Sequence, residues 1–120
     1  MIPVRQNIRV QRGKTFALDV NIKLGKDKVP MLQTAGTSIR MQVRICKDAP
    51  ELIAEPAVYI DRETGNANFS LAAPVTQAIP SGEYWYDIAT IDETAEPSIV
   101  EYWLEGDFTI DGVVTEVNNG

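Results

Sequence analysis

Hydrophobic and polar positions alternate with a period of two over most of the chain. The clearest run is residues 15–24, in which every second residue is apolar: Phe16, Leu18, Val20, Ile22 and Leu24. Because successive side chains of a β-strand point to opposite faces, this alternation predicts a strand with one buried side. A shorter alternating segment at 7–11 and a longer one at 37–47 predict two further strands.

The second half of the chain contains four further alternating segments. They cover residues 57–60, 68–71, 84–89 and 99–111. Gly and Asn within Glu63–Asn66 predict a turn between the first two of them, since both residues tolerate positive φ. Residues 74–78 predict one helical turn that ends before Pro80. Gly106 falls on the apolar row of the last segment, which predicts a bulge or a bend there.

These segments define an all-β protein. We count seven strands, and no window shows an apolar stripe with the 3.6-residue period of a helix. The spacing favours a single two-sheet antiparallel β-sandwich, immunoglobulin-like, with a closed β-barrel as the alternative. One domain is expected over residues 1–120, with its core within 7–115 and short tails at both ends.

The apolar rows of the strands are expected to form one buried core. Its predicted members are Phe16, Leu18, Val20, Ile39, Met41, Val43, Phe69, Leu71, Tyr84, Tyr86, Tyr102 and Leu104. Their shared feature is that each occupies the apolar phase of its strand, so that all of them point to the same side of their sheet.

Charge is divided between the two halves of the chain. Residues 1–60 hold ten Lys/Arg and five Asp/Glu, whereas residues 61–120 hold one Arg and twelve Asp/Glu. One interpretation is compensation within the chain, because an immunoglobulin-like order places the third strand beside the last two. The residues expected to face one another are Arg40 and Arg44 with Asp87, Glu101 or Glu105. The other interpretation is a basic surface that meets the acidic surface of the next copy.

The composition argues against enzymatic chemistry. Histidine is absent and Cys46 is the single cysteine, which excludes His-based triads, His-containing zinc sites and an intrachain disulfide. Gly13-Lys14-Thr15 lacks the earlier glycine of a phosphate loop, and Asp61–Asn66 lacks the ligand spacing of a calcium loop. The acidic residues that share a face lie on an open sheet, which does not raise a carboxyl pKa as acid catalysis requires. We therefore expect no enzymatic activity, no cofactor and no metal.

Several partners are also disfavoured. The net charge of −6 opposes binding to phosphate backbones over a broad face, so we expect no nucleic-acid partner. No apolar stretch approaches the roughly 18–20 residues of a membrane helix, so we expect no membrane partner. The first residues lack the apolar segment of a signal peptide, which predicts synthesis and folding in a cytoplasm.

Trp85 and Trp103 are the most informative candidate site residues. By alternation, both point away from the row that contains Tyr84 and Tyr86. If their two strands pair, the tryptophans form an apolar patch on one outer face, and such aromatic residues are favoured at interfaces. Core packing under a loop is the competing interpretation. The predicted interaction residues are Trp85, Trp103, Asp87, Glu101, Glu105, Arg40 and Arg44.

Four strings, each a turn followed by a strand, carry a family resemblance. They are Arg12–Leu18, Lys28–Arg44, Ile79–Ile88 and Leu104–Ile110, the last followed by Val113-Val114-Thr115. In this order and spacing, over residues 7–115, the chain resembles small β-sandwich domains of tailed-bacteriophage virion proteins, among them the N-terminal domain of phage baseplate upper proteins.

The resemblance implies a structural component of a phage or prophage tail, neck or baseplate. Such a protein acts by self-assembly, as a homo-oligomer, and by docking on other virion proteins. It is made in the host bacterial cytoplasm and ends in the virion. The alternative function is a binding module in which the exposed Trp face recognises a carbohydrate or a peptide.

Overall fold

The computed structural model describes residues 3–24 and 26–112 and has an all-β architecture. Within these residues there are eleven strands: β1 (Val4–Arg5), β2 (Ile8–Gln11), β3 (Phe16–Val20), β4 (Lys23–Leu24), β5 (Val29–Pro30), β6 (Thr37–Arg44), β7 (Leu52–Ala54), β8 (Ala57–Asp61), β9 (Asn66–Leu71), β10 (Gly82–Asp92) and β11 (Ile99–Asp111). A 3₁₀ turn spans Met31–Gln33, and the helix α1 spans Ala73–Ala78.

The seven predicted strands are present as β2, β3, β6, β8, β9, β10 and β11, and the predicted helical turn is α1. Several boundaries differ. The strand predicted over 37–47 ends at Arg44, and the alternating run at 15–24 breaks after Val20. Residues Lys23 and Leu24 leave the sheet of β3 and form β4, which pairs with β5 in a separate hairpin. Alternation therefore predicted where strands occur but not to which sheet each part belongs.

The strands form two larger sheets. One has the order β1-β11-β10-β6-β7, with β2 also on β11, and the other has the order β3-β9-β8. Strand β6 lies beside β10, as expected, but β10 separates it from β11, so it neighbours only one of the last two strands. Over the residues described, none of the sheets closes on itself, so the closed-barrel alternative is wrong. The large sheet is mixed rather than antiparallel throughout, because β1 and β2 both run parallel to β11.

The two larger sheets share one hydrophobic core. Its buried members from the predicted set are Phe16, Val20, Ile39, Met41, Val43, Phe69, Leu71 and Tyr86. Leu18, Tyr84 and Leu104 are partly buried and pack against this cluster. Tyr102 is an incorrect prediction, since its side chain is 45% exposed.

A β-bulge explains the position of Tyr102. The register between β10 and β11 shifts after Ile88, so that Ile88 pairs with Leu104 but Ala89 pairs with Tyr102. Trp103 lies between these two pairs without a partner of its own. An extra residue in one strand reverses the direction in which the side chains on one side of the bulge point. Tyr102 therefore lies on the outer face.

Gly106 has a different role from the predicted bulge or bend. The register of β10 and β11 continues through it, with Tyr86 directly opposite. A Cβ atom at this position would collide with the backbone carbonyl oxygen of Gln6. Tyr86 crosses over the glycine and donates its hydroxyl proton to that same carbonyl, at 2.5 Å. The missing side chain thus lets the segment between β1 and β2 lie close against β11.

The Tyr86 hydroxyl predicts a specific alkaline pH dependence. Burial raises the pKa of Tyr86 from 10.0 to about 12. Between these values the folded protein keeps a proton that the unfolded chain has lost, so stability decreases as the pH rises through this range. We expect Tyr86→Phe to flatten that decrease, at a cost of about 1 kcal/mol at neutral pH from the lost hydrogen bond.

Urea unfolding at a series of pH values measures this effect. Tyr59→Phe is the matched control, because Tyr59 is 71% exposed and its removal should leave the pH dependence unchanged. Equal slopes for Tyr86→Phe and the unmodified protein above about pH 10 would show that Tyr86 is not responsible.

Candidate interaction surface

The outer face of the large sheet carries a cleft of about 620 Å³, which we call the outer cleft. This volume lies within the range of small-molecule and peptide-side-chain sites. Its base is formed by β6, β10 and β11, and its walls by Pro3 and the loop after β6. The lining residues are Pro3, Arg44, Lys47, Asp48, Ala49, Trp85, Asp87, Val100, Glu101, Tyr102 and Glu105.

Sheet register brings most of the predicted interaction residues to this cleft. Trp85 pairs with Arg44 on β6, and Asp87 pairs with Glu105 on β11. Both β10 residues alternate with the buried Tyr86, so they point away from the core. Five of the seven predicted residues line the outer cleft: Arg44, Trp85, Asp87, Glu101 and Glu105.

Ion pairs within the chain balance part of the charge in the cleft. The Arg44 guanidinium lies 3.7 Å from the Asp87 carboxylate, and the Lys47 ammonium lies 3.9 Å from that of Glu105. The predicted pairing of Arg44 with an acidic residue of a neighbouring strand is confirmed. Burial raises the pKa of Asp87, and the positive charges of Arg44 and Arg40 partly offset that rise. Arg40 itself does not line the cleft.

Two cations flank the indole ring of Trp85. The Arg5 guanidinium carbon lies 5.0 Å from the ring centroid, and the Lys47 ammonium nitrogen lies 5.4 Å from it. Such contacts attract cations to the π face and fix the orientation of the ring. In the cleft lining, Val100 and Tyr102 provide exposed apolar surface, with 42% and 45% of their areas exposed.

Trp103 is not part of this surface. Its indole Nε1 donates a hydrogen bond to Oγ1 of Thr90 at 2.8 Å. Thr90 is buried and pairs with Ile39 on the core side of the sheet. The hypothesis that Trp85 and Trp103 share one outer patch is therefore wrong, because the bulge turns Trp103 toward the core side.

Sequence reasoning missed several residues of the outer cleft. Pro3 and Asp48 lie outside the alternating segments. Lys47 ends the segment 37–47 but lies beyond the last residue of β6, so alternation does not indicate where these side chains point. The sequence predicts Tyr102 in the core because it contains no signal of the bulge. Two aromatic residues on adjacent strands thus do share the outer face, but they are Trp85 and Tyr102. Tyr102 occupies the position that the sequence predicts for Trp103.

Across residues 3–24 and 26–112, no group of three or more His, Cys, Asp or Glu residues is placed to hold a metal ion. No helix in the same part of the chain is both long and apolar enough to cross a membrane. No protein-family model matches the chain, and no curated protein matches its sequence.

Proposed function

We propose that the chain is an immunoglobulin-like β-sandwich that acts as a non-enzymatic assembly domain. The strand order supports this architecture. In it, β6, β10 and β11 occupy the positions of the neighbouring C, F and G strands, and β3, β9 and β8 those of B, E and D. At the start of β10, Tyr84 donates its hydroxyl proton to the Pro80 carbonyl at 2.6 Å. This contact resembles the tyrosine corner at the start of strand F in immunoglobulin-like domains.

Within that class, we assign the chain to the tail, neck or baseplate of a tailed phage or prophage. The four turn-and-strand strings that resemble small virion domains support this assignment. In the virion the protein would form homo-oligomers and dock on other virion proteins.

The main support for the proposed docking function is the outer cleft. It combines an aromatic anchor, Trp85, with the exposed apolar side chains of Val100 and Tyr102. Charged residues surround these groups and include the Lys47–Glu105 pair. An aromatic and apolar centre inside a charged rim is the usual anatomy of a protein interface.

Replacement of Trp85 by alanine tests the docking role. We expect association to weaken by about 2 kcal/mol or more, roughly 30-fold, because interface tryptophans are frequent hot spots. Sedimentation velocity over a concentration series measures self-association, and pull-down with the products of neighbouring genes measures docking on other proteins.

Tyr59→Ala is the matched control, since Tyr59 is an exposed aromatic residue on β8 in the other sheet. Association of the Trp85→Ala protein at the level of the unmodified chain would contradict the docking role. Urea unfolding of both variants separates a loss of association from a loss of folding.

Carbohydrate binding is the second candidate function. The outer cleft offers an aromatic ring for stacking, and the carboxylates of Asp87 and Glu105 can accept hydrogen bonds from sugar hydroxyls. This function predicts a monomer whose tryptophan fluorescence responds to oligosaccharides, with the response lost in Trp85→Ala. A concentration-dependent oligomer without such a response favours the assembly domain.

A further inference from the structure

The part of β11 that precedes the bulge has one unpaired edge. On one side, β11 pairs with β10 from Ile99 to Ile110, apart from the bulge. On the other side, β1 pairs only with Leu104 and Glu105, and β2 pairs only with residues 108–111. Within the described residues, no strand pairs with Ile99–Tyr102 on that side. We call these four residues the open edge.

The side chains of the open edge favour the addition of a strand. Lysine or proline often protects the edge of a natural sheet, and the open edge contains neither. Ile99, Val100 and Tyr102 leave 53%, 42% and 45% of their areas exposed. Exposed β-branched and aromatic side chains on an unpaired edge are well suited to pairing with another extended chain.

The same side of β11 already holds two short extended segments. Strands β1 and β2, of two and four residues, both add to it in the parallel direction. Between them, Gln6 donates its backbone NH to the Glu105 carbonyl at 2.9 Å. Val4 lies beside Leu104, and the preceding Pro3 has no NH with which to continue the pairing. Strand β1 therefore ends level with the bulge, where the open edge begins.

The open edge is bounded at both ends. Strand β1 begins beside Leu104, and Ile99 follows the loop 93–98 that connects β11 to β10. Four residues of a strand span about 13 Å. A single extended segment fits between these limits, whereas the longer edge of a folded sheet would meet β1 or the loop. The size of the open edge therefore favours a segment of a partner chain over the sheet edge of a second copy.

The outer cleft lies directly beside the open edge. Val100 and Tyr102 belong to both, because their backbone forms the edge and their side chains line the cleft. Since strand side chains alternate between faces, every second side chain of an added strand would point toward the cleft. Glu101 is the one charged residue of the open edge, and it is partly buried opposite Thr90. Its carboxylate disfavours an acidic side chain directly opposite it.

We propose that the open edge receives an extended segment of another protein as an added strand. Backbone hydrogen bonds to Ile99–Tyr102 would provide affinity, and side chains on the cleft side would provide specificity. The segment has an apolar residue at every second position, in contact with Val100 and Tyr102, and no carboxylate opposite Glu101. This inference rests on the proposed docking function and names how the partner is held.

A synthetic peptide tests strand addition. The probe has seven residues, in which valine and threonine alternate between two terminal lysines. In nuclear magnetic resonance spectra of the unmodified chain, we expect the peptide to shift the amide signals of Ile99–Tyr102 and to slow their hydrogen exchange. Tyr102→Ala should weaken binding by about threefold or more, because it removes an apolar cross-strand contact. Tyr59→Ala, which removes an exposed ring from β8, should leave binding unchanged.

Two N-methylated versions of the peptide separate backbone pairing from side-chain contact. One carries N-methyl groups along one edge, and the other carries them along both edges. An isolated strand can present either edge by reversing its direction, so the first version should still bind. The second version has no backbone donor left and should bind at least about tenfold more weakly than the first.

Equal affinities of the two N-methylated peptides would show that side chains alone hold the peptide, and the inference would be wrong. It would also be wrong if millimolar peptide shifted no signals, or shifted those of β3, β7 or β8, which end their sheets in the described part of the chain. Shifts of the open edge with protein concentration alone would identify a second copy as the occupant and contradict the inference. Pull-down with Trp85→Ala tests the docking function separately, so a loss of docking there would leave that function standing in each of these cases.

Discussion

Replacing Phe108 with alanine is expected to lower the free energy of unfolding by about 3–5 kcal/mol. Phe108 is fully buried on β11. Its ring meets Phe16 of the second sheet edge to face at a centroid distance of 5.3 Å, and Tyr86 of β10 at 6.4 Å. The substitution therefore removes a contact that joins the two sheets and leaves a cavity between them.

Equilibrium unfolding in urea, followed by far-ultraviolet circular dichroism, measures this loss. Tyr102→Ala is the matched control, because it removes another aromatic ring from β11 but on the exposed face. We expect the control to change stability by less than about 0.5 kcal/mol. Equal losses for the two variants would mean that the faces of β11 are assigned incorrectly.

Replacing Trp103 with alanine is expected to lower the free energy of unfolding by about 2–3 kcal/mol. The side chain is partly buried, and its Nε1–H is the donor to the buried hydroxyl of Thr90. Truncation removes packing on the core side of the sheet and leaves this hydroxyl without that donor. Association should change little, because Trp103 does not line the outer cleft.

Two further variants, Trp103→Phe and Trp85→Ala, serve as comparisons for Trp103→Ala. Trp103→Phe keeps an aromatic ring but lacks the donor, so its loss of stability should be smaller than that of the alanine variant. Trp85→Ala should show the reverse pattern, with weakened association and a nearly unchanged unfolding free energy. A Trp103→Ala protein with full stability and impaired association would show that Trp103 lies on the outer face.

Alternation predicts the long strands well because a strand that is buried on one side has an apolar residue at every second position. The run from Ile39 to Val43 is an example, since every second residue contacts the core. The bulge at Trp103 does not interrupt this alternation, because the apolar row Val100, Tyr102, Leu104 continues through it. Strands of two residues, such as β1 and β5, are too short to show a period, and the sequence does not predict them for that reason.

The outer cleft was predictable only where regular strands build it. Trp85, Asp87 and Arg44 lie at outward phases of β10 and β6, and the sequence placed them correctly on a common face. Lys47 and Asp48 enter through the loop after β6, whose path depends on tertiary packing. Periodicity carries no information about such residues.

The parallel pairing of β1 and β2 with β11 determines how the domain responds to mechanical tension. Val4 lies beside Leu104, and Gln11 lies beside Asp111, so the two ends of the described chain leave the sheet in opposite directions. Force applied between Pro3 and Gly112 pulls the first strands and the last strand past each other along their length. The hydrogen bonds between β2 and β11 then share the load and must break together, whereas antiparallel end strands would separate one bond at a time. A domain linked through both ends in a larger assembly would therefore transmit tension along its sheet without opening at the edge.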